Sequence, residues 1–391
     1  MNRGFYIILI AQFLSALADN ALLFAAIALL SSLHAPDWHK PLLLEFFVFS
    51  YIVLAPFVGS FADAIPKGRV MFISNAIKLV GCLAMLLGMQ PLYAYAIVGF
   101  GAAAYSPAKY GILTEYLPPQ KLVAANSWME GTTVLSIILG AIIGGMLISP
   151  GLAGPVLRFF DIPGIDTPPE FAVAVITMLY LAAAVFNLFI PYLPIDHKLA
   201  KRNPLFLLHD FWHSFKLLWR DPQGQVSLAV TTLFWGVGST MRLLVIAWAA
   251  YALNFNLGHA TQLTAVVAVG IAFGAIIAAR YITLEKAVCA MPSGIAMGLL
   301  LIALIFVREW HIAAVLLFVL GTLSGFFVVP MNALLQHRGH LLMGAGHSIA
   351  VQNFNENIGI VLMTGAYTLM IKADLHVALI MLLFGGFISL T

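Results

Sequence analysis

The sequence predicts an all-α polytopic membrane protein, with about twelve spanning helices in two pseudo-symmetric six-helix bundles. Three observations carry this reading. The chain is 62% hydrophobic and only 9% charged, against about 25% charged in a typical soluble domain. Its 391 residues divide into continuous apolar runs near the roughly 20-residue length of a spanning helix, where a transmembrane barrel would alternate over segments of about ten. The two halves also repeat polar residues at matched places inside those runs.

The spans are expected near 5–33, 41–63, 70–89, 91–117, 121–149, 170–194, 223–253, 260–281, 287–307, 310–335, 345–371 and 374–391. The first run is long and no small-residue cleavage site precedes a mature domain, so it reads as a retained helix, not a signal peptide. Lysine and arginine set the orientation. With the N-terminus inside, the cytoplasmic connections hold Arg3, Lys67, Arg69, Lys121, Lys198, Lys201, Arg202, Lys216, Arg220, Arg280, Lys286 and Arg338. The opposite side holds only Lys40, Arg158, Arg308 and Lys372. Both termini are therefore expected in the cytoplasm. The two cysteines, Cys82 and Cys289, are too few for a disulfide framework and read as small packing residues.

Span one contains "QFLSALADNALLFAAIALL", with Asp19 and Asn20 at its centre. A carboxylate there costs roughly 2.5–3.5 kcal/mol on insertion scales, and such residues face a bundle interior or a cavity. Asp19 is therefore a candidate for substrate binding or gating. Lys78, in span three, is a candidate partner for Asp19 or for Glu130. Span four carries "GAAAYSPAKYGIL". Pro107 there removes a backbone donor and favours a kink, the glycine and alanine run permits close packing, and Lys109 with Tyr110 follows within the span. Lys109 suits a phosphate; snorkelling to the inner interface is the alternative. In span five, Asn126 and Glu130 are four apart and share a helix face. They can glue helices together, gate, or relay protons.

After span six comes the longest polar interruption, 195–222, dividing an N-terminal bundle (1–194) from a C-terminal one (223–391). Within it His209, His213, Lys216 and Arg220 fall on one helical face, and Leu207, Phe211, Phe215 and Leu218 on another. That is a basic amphipathic helix expected on the inner leaflet. The histidine pair has no third ligand nearby, so no metal site is assigned.

The halves match by arithmetic. Pro107 aligns with Pro330 of "GFFVVPMNALLQ" at an offset of 223 residues, and the same offset carries Asp19 onto Arg242. Asn126 and Glu130 align with Gln352 and Glu356 of "VQNFNEN" at an offset of 226, with Asn353 beside them. Arg242 is thus the expected counter-charge of Asp19. The pair is read either as an ion pair between repeats or as a headgroup site, the carboxylate for a cation and the guanidinium for a phosphate or carboxylate. Two parallel six-helix repeats with a charged inner loop resemble the major facilitator architecture.

Between spans two and three, "GSFADAIPKGRV" is similar to the loop pattern of that superfamily. Gly59, Asp63, Lys67, Gly68 and Arg69 match it, while Ala64 and Pro66 depart from it. The resemblance implies a conformational latch, with Asp63 facing the start of span eleven, where a helix N-terminus favours negative charge. A closer resemblance rests on "AQFLSALADNALLF", "YSPAKYGIL", "LFWGVGSTMRLL", "SGFFVVPMNALLQHRG" and "AVQNFNEN". Together these resemble the bacterial lysophospholipid transporters of the same superfamily. The resemblance implies movement of lysophospholipids from the outer to the inner leaflet of the inner membrane. It also implies an acyltransferase–acyl-carrier-protein synthetase partner that re-acylates them for phospholipid remodelling. The chain departs in carrying no basic tail after its last span.

Lysophosphatidylethanolamine bears an ammonium and a phosphate, which Asp19, Arg242 and Lys109 complement in charge. The main alternative is a proton-coupled transporter of drugs or other small molecules, kept open by the two membrane-depth glutamates. An enzyme is not expected. None of the eleven histidines has an aspartate five residues on, as a glycerolipid acyltransferase would require, and neither a Gly-x-Ser-x-Gly elbow nor a Walker loop occurs. No catalytic residue, cofactor, metal or nucleic-acid partner is assigned, and a monomer is the fold-level default.

Overall fold

Helix starts follow the local chemistry of the chain. Thr167 and Glu170 form a reciprocal capping box ahead of an apolar run that opens with Pro168. Asp221 caps another start by accepting from the Gly224 N–H at 2.8 Å, just before Pro222. Gly88 and Gly344 take positive φ in two of the tight turns.

The computed structural model describes residues 3–35, 39–159, 165–194, 203–255 and 257–391. The helices are α1 (Arg3–Ser32), α2 (His39–Ala64), α3 (Lys67–Leu86), α4 (Pro91–Tyr116), α5 (Leu122–Leu147), α6 (Pro150–Phe159), α7 (Pro168–Leu188), α8 (Pro204–Arg220), α9 (Pro222–Leu253), α10 (Leu257–Tyr281), α11 (Pro292–Leu304), α12 (Trp310–Met343), α13 (Ala345–Lys372) and α14 (Val377–Leu390). No strand occurs among the described residues. Each expected span has its helix, and α8 is the expected amphipathic helix of the linker. The preceding 195–202, with Lys198, Lys201 and Arg202, lies outside the described residues.

Two features were not expected. The ten-residue α6 is far too short to cross a bilayer. The span expected at 287–307 opens as a 3-10 segment, Leu284–Ala290, before α11. Cys289 is exposed there, so only Cys82 is the buried packing residue expected. Among the described residues, 9 helices are long and apolar enough to cross a membrane. Helix α13 has the length, at 28 residues, but its Gln, Asn and Glu side chains dilute its hydropathy.

Packing groups the chain into two compact units. One comprises Met1–Tyr116, Leu135–Phe215 and His340–Asn353. The other comprises Leu117–Val134, Lys216–Gly339 and Phe354–Thr391. The boundaries cut through α5 and α13, because each of these helices packs one half into each unit. In the first unit α1 packs on α7, and α4 packs on α2 and α3, around a core that includes Ala18, Leu22, Val98 and Ile176. Gly101 lets α4 close on α3: a Cβ there would stand 2.7 Å from the Ser74 carbonyl oxygen and from Lys78 Cγ. In the second unit α11 packs on α14 and α9 on α10, with Leu244, Trp248, Leu317 and Phe384 in the core.

The spanning helices also turn large apolar side chains outward, among them Phe49, Leu83, Met178, Phe273, Ile276 and Leu299. A water-soluble surface does not carry so many; hydrocarbon covers them without cost.

Candidate functional site

The first unit holds a polar cavity of about 60 Å³ lined by α1, α2, α3 and α4. Asp19 and Lys78 meet there. Lys78 Nζ donates to both carboxylate oxygens of Asp19 at 2.8 Å and to Ser15 Oγ at 3.0 Å. Ser15 Oγ in turn donates to Asn75 Oδ1 at 2.8 Å. Tyr180, from α7, donates to Asp19 Oδ1 at 2.6 Å. The Lys78 ammonium also lies over the rings of Tyr105, at 4.9 Å, and Tyr180, at 5.4 Å. Lys78 is 1% exposed and Asp19 22%, so the cation is sealed in while the carboxylate still meets the cavity. The counter-charge that the repeat arithmetic assigned to Arg242 is supplied by Lys78. Arg242 itself is exposed on α9.

Lys109 lines the same cavity, with its Nζ 4.2 Å from the Tyr110 ring centroid. The acidic and basic side chains of the lining are thus Asp19, Lys78 and Lys109, two bases to one acid. Ser106 is also in the lining and is tied to Asn353, which donates to it at 3.0 Å. Asn20 turns away from this set and donates to the Ala16 carbonyl of its own helix at 2.8 Å. Pro107 lies within α4 and Pro330 within α12, both inside continuous helices.

A second ionic cluster forms at the end of α2. Asp63 accepts from the backbone N–H of Gly346 at 2.8 Å and of His347 at 3.0 Å, at the first turn of α13. The His347 imidazole bonds Asp63 through Nδ1 at 2.6 Å and Asp210 of α8 through Nε2 at 3.0 Å. Lys67 Nζ completes it, 2.6 Å from Asp63 and 3.0 Å from Glu115. Gly59 is the contact surface for α13: a Cβ there would stand 2.9 Å from Ala350 Cβ and 3.0 Å from His347 Cα. Arg69 is exposed.

Comparison with known proteins fits this arrangement. Residues 8–364 match the family profile described as Major Facilitator Superfamily. A protein from Serratia proteamaculans named lysophospholipid transporter LplT is 44% identical over 373 residues, which is 95% of this chain and 89% of that protein. Its namesake from Yersinia enterocolitica is 42% identical over 378 residues, 96% of this chain and 89% of that protein. The chain belongs to the lysophospholipid transporter family of the major facilitator superfamily.

Solved structures agree on the fold alone. The human organic anion transporter MFSD10 superposes with a TM-score of 0.76 at 15% identity, covering 100% of this chain and 99% of that one. FucP in its outward conformation gives 0.77 at 14% identity, covering 99% and 97%. The protein is a transporter of this superfamily, not an enzyme.

Other polar positions of α5, α12 and α13 are buried. Asn126 and Gln336 are both buried and exchange hydrogen bonds, each side-chain amide N–H donating to the other's carbonyl oxygen at 2.9 Å. Glu130 is buried and accepts from Asn332 at 3.5 Å. Gln352 and Glu356 are buried as well. Sequence reading missed Tyr180, Ser15, Asn75, Gln336, His347 and Asp210. Only His347 and Asp210 carried a signal, as ionisable residues, His347 near the start of an expected span and Asp210 within the linker. Tyr180 sits in the apolar run "ITMLYLAAAV", where nothing marks it as polar in role.

Proposed function

We propose that this chain moves lysophospholipids, lysophosphatidylethanolamine among them, from the outer to the inner leaflet of the bacterial inner membrane by alternating access. The observation that carries the reading is the polar cavity in the first unit, where Asp19, Lys78 and Lys109 converge. The names of the two relatives support the substrate class. Lys109 is assigned the phosphate, as a point charge at membrane depth. Asp19 is assigned the ammonium of an ethanolamine headgroup. Because Lys78 and Tyr180 already satisfy much of Asp19, the ammonium contact is auxiliary and the phosphate contact dominates. A glycerol headgroup without an ammonium is then still a substrate. Arg242 is assigned the matching charge of the second repeat.

The two bundles, 1–194 and 223–391, act as the alternating repeats, and the Asp63 cluster acts as the cytoplasmic latch. Asp63 supports that role by placing a carboxylate on the positive end of α13. Both termini lie in the cytoplasm, and the chain works as a monomer. Its product is re-acylated by an acyltransferase–acyl-carrier-protein synthetase on the inner side.

The reading is tested by reconstituting the protein in liposomes and following transbilayer movement of labelled lysophosphatidylethanolamine, with and without a pH gradient. Acceleration over empty liposomes is expected. No acceleration would sink the proposal, and transport of a small soluble cation in its place would favour proton-coupled export through Glu130 and Glu356.

A further inference from the structure

Helix α8 has three faces, and the fold uses one of them. Phe211, Ser214 and Leu218 are buried. Next to that face Asp210 reaches His347 Nε2 at 3.0 Å, and the same imidazole holds Asp63. On the other side Leu205, Leu208 and Trp212 are exposed, at the i, i+3, i+7 spacing of a single helical stripe. Beside that stripe His213, Lys216 and Arg220 are exposed as well. A tryptophan-bearing apolar stripe flanked by cations suits the boundary between acyl chains and anionic headgroups.

Position favours a lipid over a soluble partner. Helix α8 ends at Arg220 and the spanning α9 begins at Pro222, so the last turn of α8 is tethered at the end of a span. The lysine and arginine bias puts that end on the cytoplasmic side, where the leaflet is anionic.

We propose that the exposed face of α8 docks on anionic lipid of the inner leaflet, and that Asp210 passes its occupancy to the Asp63–His347 latch. The lipid sits on the Leu205, Leu208 and Trp212 stripe with its phosphates against Lys216 and Arg220. Docking fixes α8, and a fixed Asp210 holds the imidazole that bridges to Asp63.

The test uses the full chain in nanodiscs of phosphatidylcholine with rising phosphatidylglycerol. Bromine on the acyl chains quenches tryptophan, and subtracting a Trp212→Phe variant isolates Trp212. Quenching that deepens with phosphatidylglycerol is expected, and Lys216→Gln with Arg220→Gln should remove that dependence. Hydrogen exchange at the Gly346 and His347 amides, both bonded to Asp63, reads the latch. It should slow by about threefold or more in anionic discs. Asp210→Asn should keep the quenching and lose the slowing. An unquenched Trp212, or quenching indifferent to anionic lipid, would overturn the docking. Slowing that survives in Asp210→Asn would overturn the coupling. Burial of Trp212 only on adding cytosolic protein would give the face to a soluble partner and overturn the proposal. None of these readouts requires transport, so they stand apart from the substrate assignment.

Discussion

Lys78 Nζ stands 2.8 Å from both carboxylate oxygens of Asp19. One charge is sealed inside the helices and the other is left partly open to a cavity. This asymmetry separates their roles. Lys78 and Tyr180 hold the Asp19 carboxylate in place, and Asp19 is the member that can meet a ligand.

Removing one member of such a pair leaves the other buried and uncompensated, which costs about 3–5 kcal/mol. Asp19→Asn, which strands the sealed Lys78 ammonium, should therefore destabilise the protein by an amount of that order, more than Lys78→Met, which leaves a carboxylate that still meets the cavity. The double variant should recover much of the loss of Asp19→Asn. Thermal unfolding in detergent measures all three, and an additive double variant would mean that the pair does not couple.

At the latch, Gly59→Val is expected to fail where Gly59→Ala is partly tolerated. Even a Cβ would stand 2.9 Å from Ala350 Cβ and 3.1 Å from the Gly346 carbonyl oxygen, and valine adds two methyls. Exchange at the Gly346 amide should speed up in both, more in Gly59→Val. Unchanged exchange would place the latch elsewhere.

Asp221 gives a pH prediction. It caps α9 and binds Arg338, whose Nε lies 3.0 Å from Oδ2. The guanidinium hydrogen bond holds the Asp221 carboxyl below its ordinary value. A depressed carboxylate contributes stability that is present above its unfolded value, near 3.9, and is lost as pH falls through the folded one. Wild type should therefore match itself between pH 5 and pH 7 at this site, and approach Asp221→Asn only below about pH 4. Asp221→Ala, which also loses the cap, should cost a further ~0.5–2 kcal/mol at every pH. Unfolding midpoints across that range check both statements.

The reciprocal amide pair of Asn126 and Gln336 predicts a rescue. Asn126→Leu strands a buried amide and should cost roughly 1–3 kcal/mol. Replacing Gln336 by Leu as well should recover most of it, since two apolar partners leave nothing unsatisfied. A double variant worse than the single one would show that the pair has another task.

What was legible in the chain follows from the physics of each signal. Spans and the isolated charge at Asp19 are one-dimensional features, so composition and spacing reveal them. The repeat matched Pro107 with Pro330 and Glu130 with Glu356, because each half presents its motif at the same depth. Arithmetic between repeats cannot see neighbours within one bundle. It passed over Lys78, on α3 of the same unit as Asp19, in favour of Arg242. Tyr180 was invisible because a tyrosine among leucines and alanines reads as packing until its hydroxyl is placed. Helix α6 was missed because ten residues carry too little periodicity beside long spans.

The central claim is that the Asp19–Lys78–Lys109 cavity receives the headgroup. The most direct measurement is photo-crosslinking with a lysophosphatidylethanolamine that carries its photoreactive group on the headgroup, with adducts mapped by mass spectrometry. Adducts are expected on the cavity lining, at Ser15, Tyr105 or Ser106, competed by unlabelled lysolipid and strongly reduced in Lys109→Gln. Adducts confined to other segments, or indifferent to competition, would contradict the account.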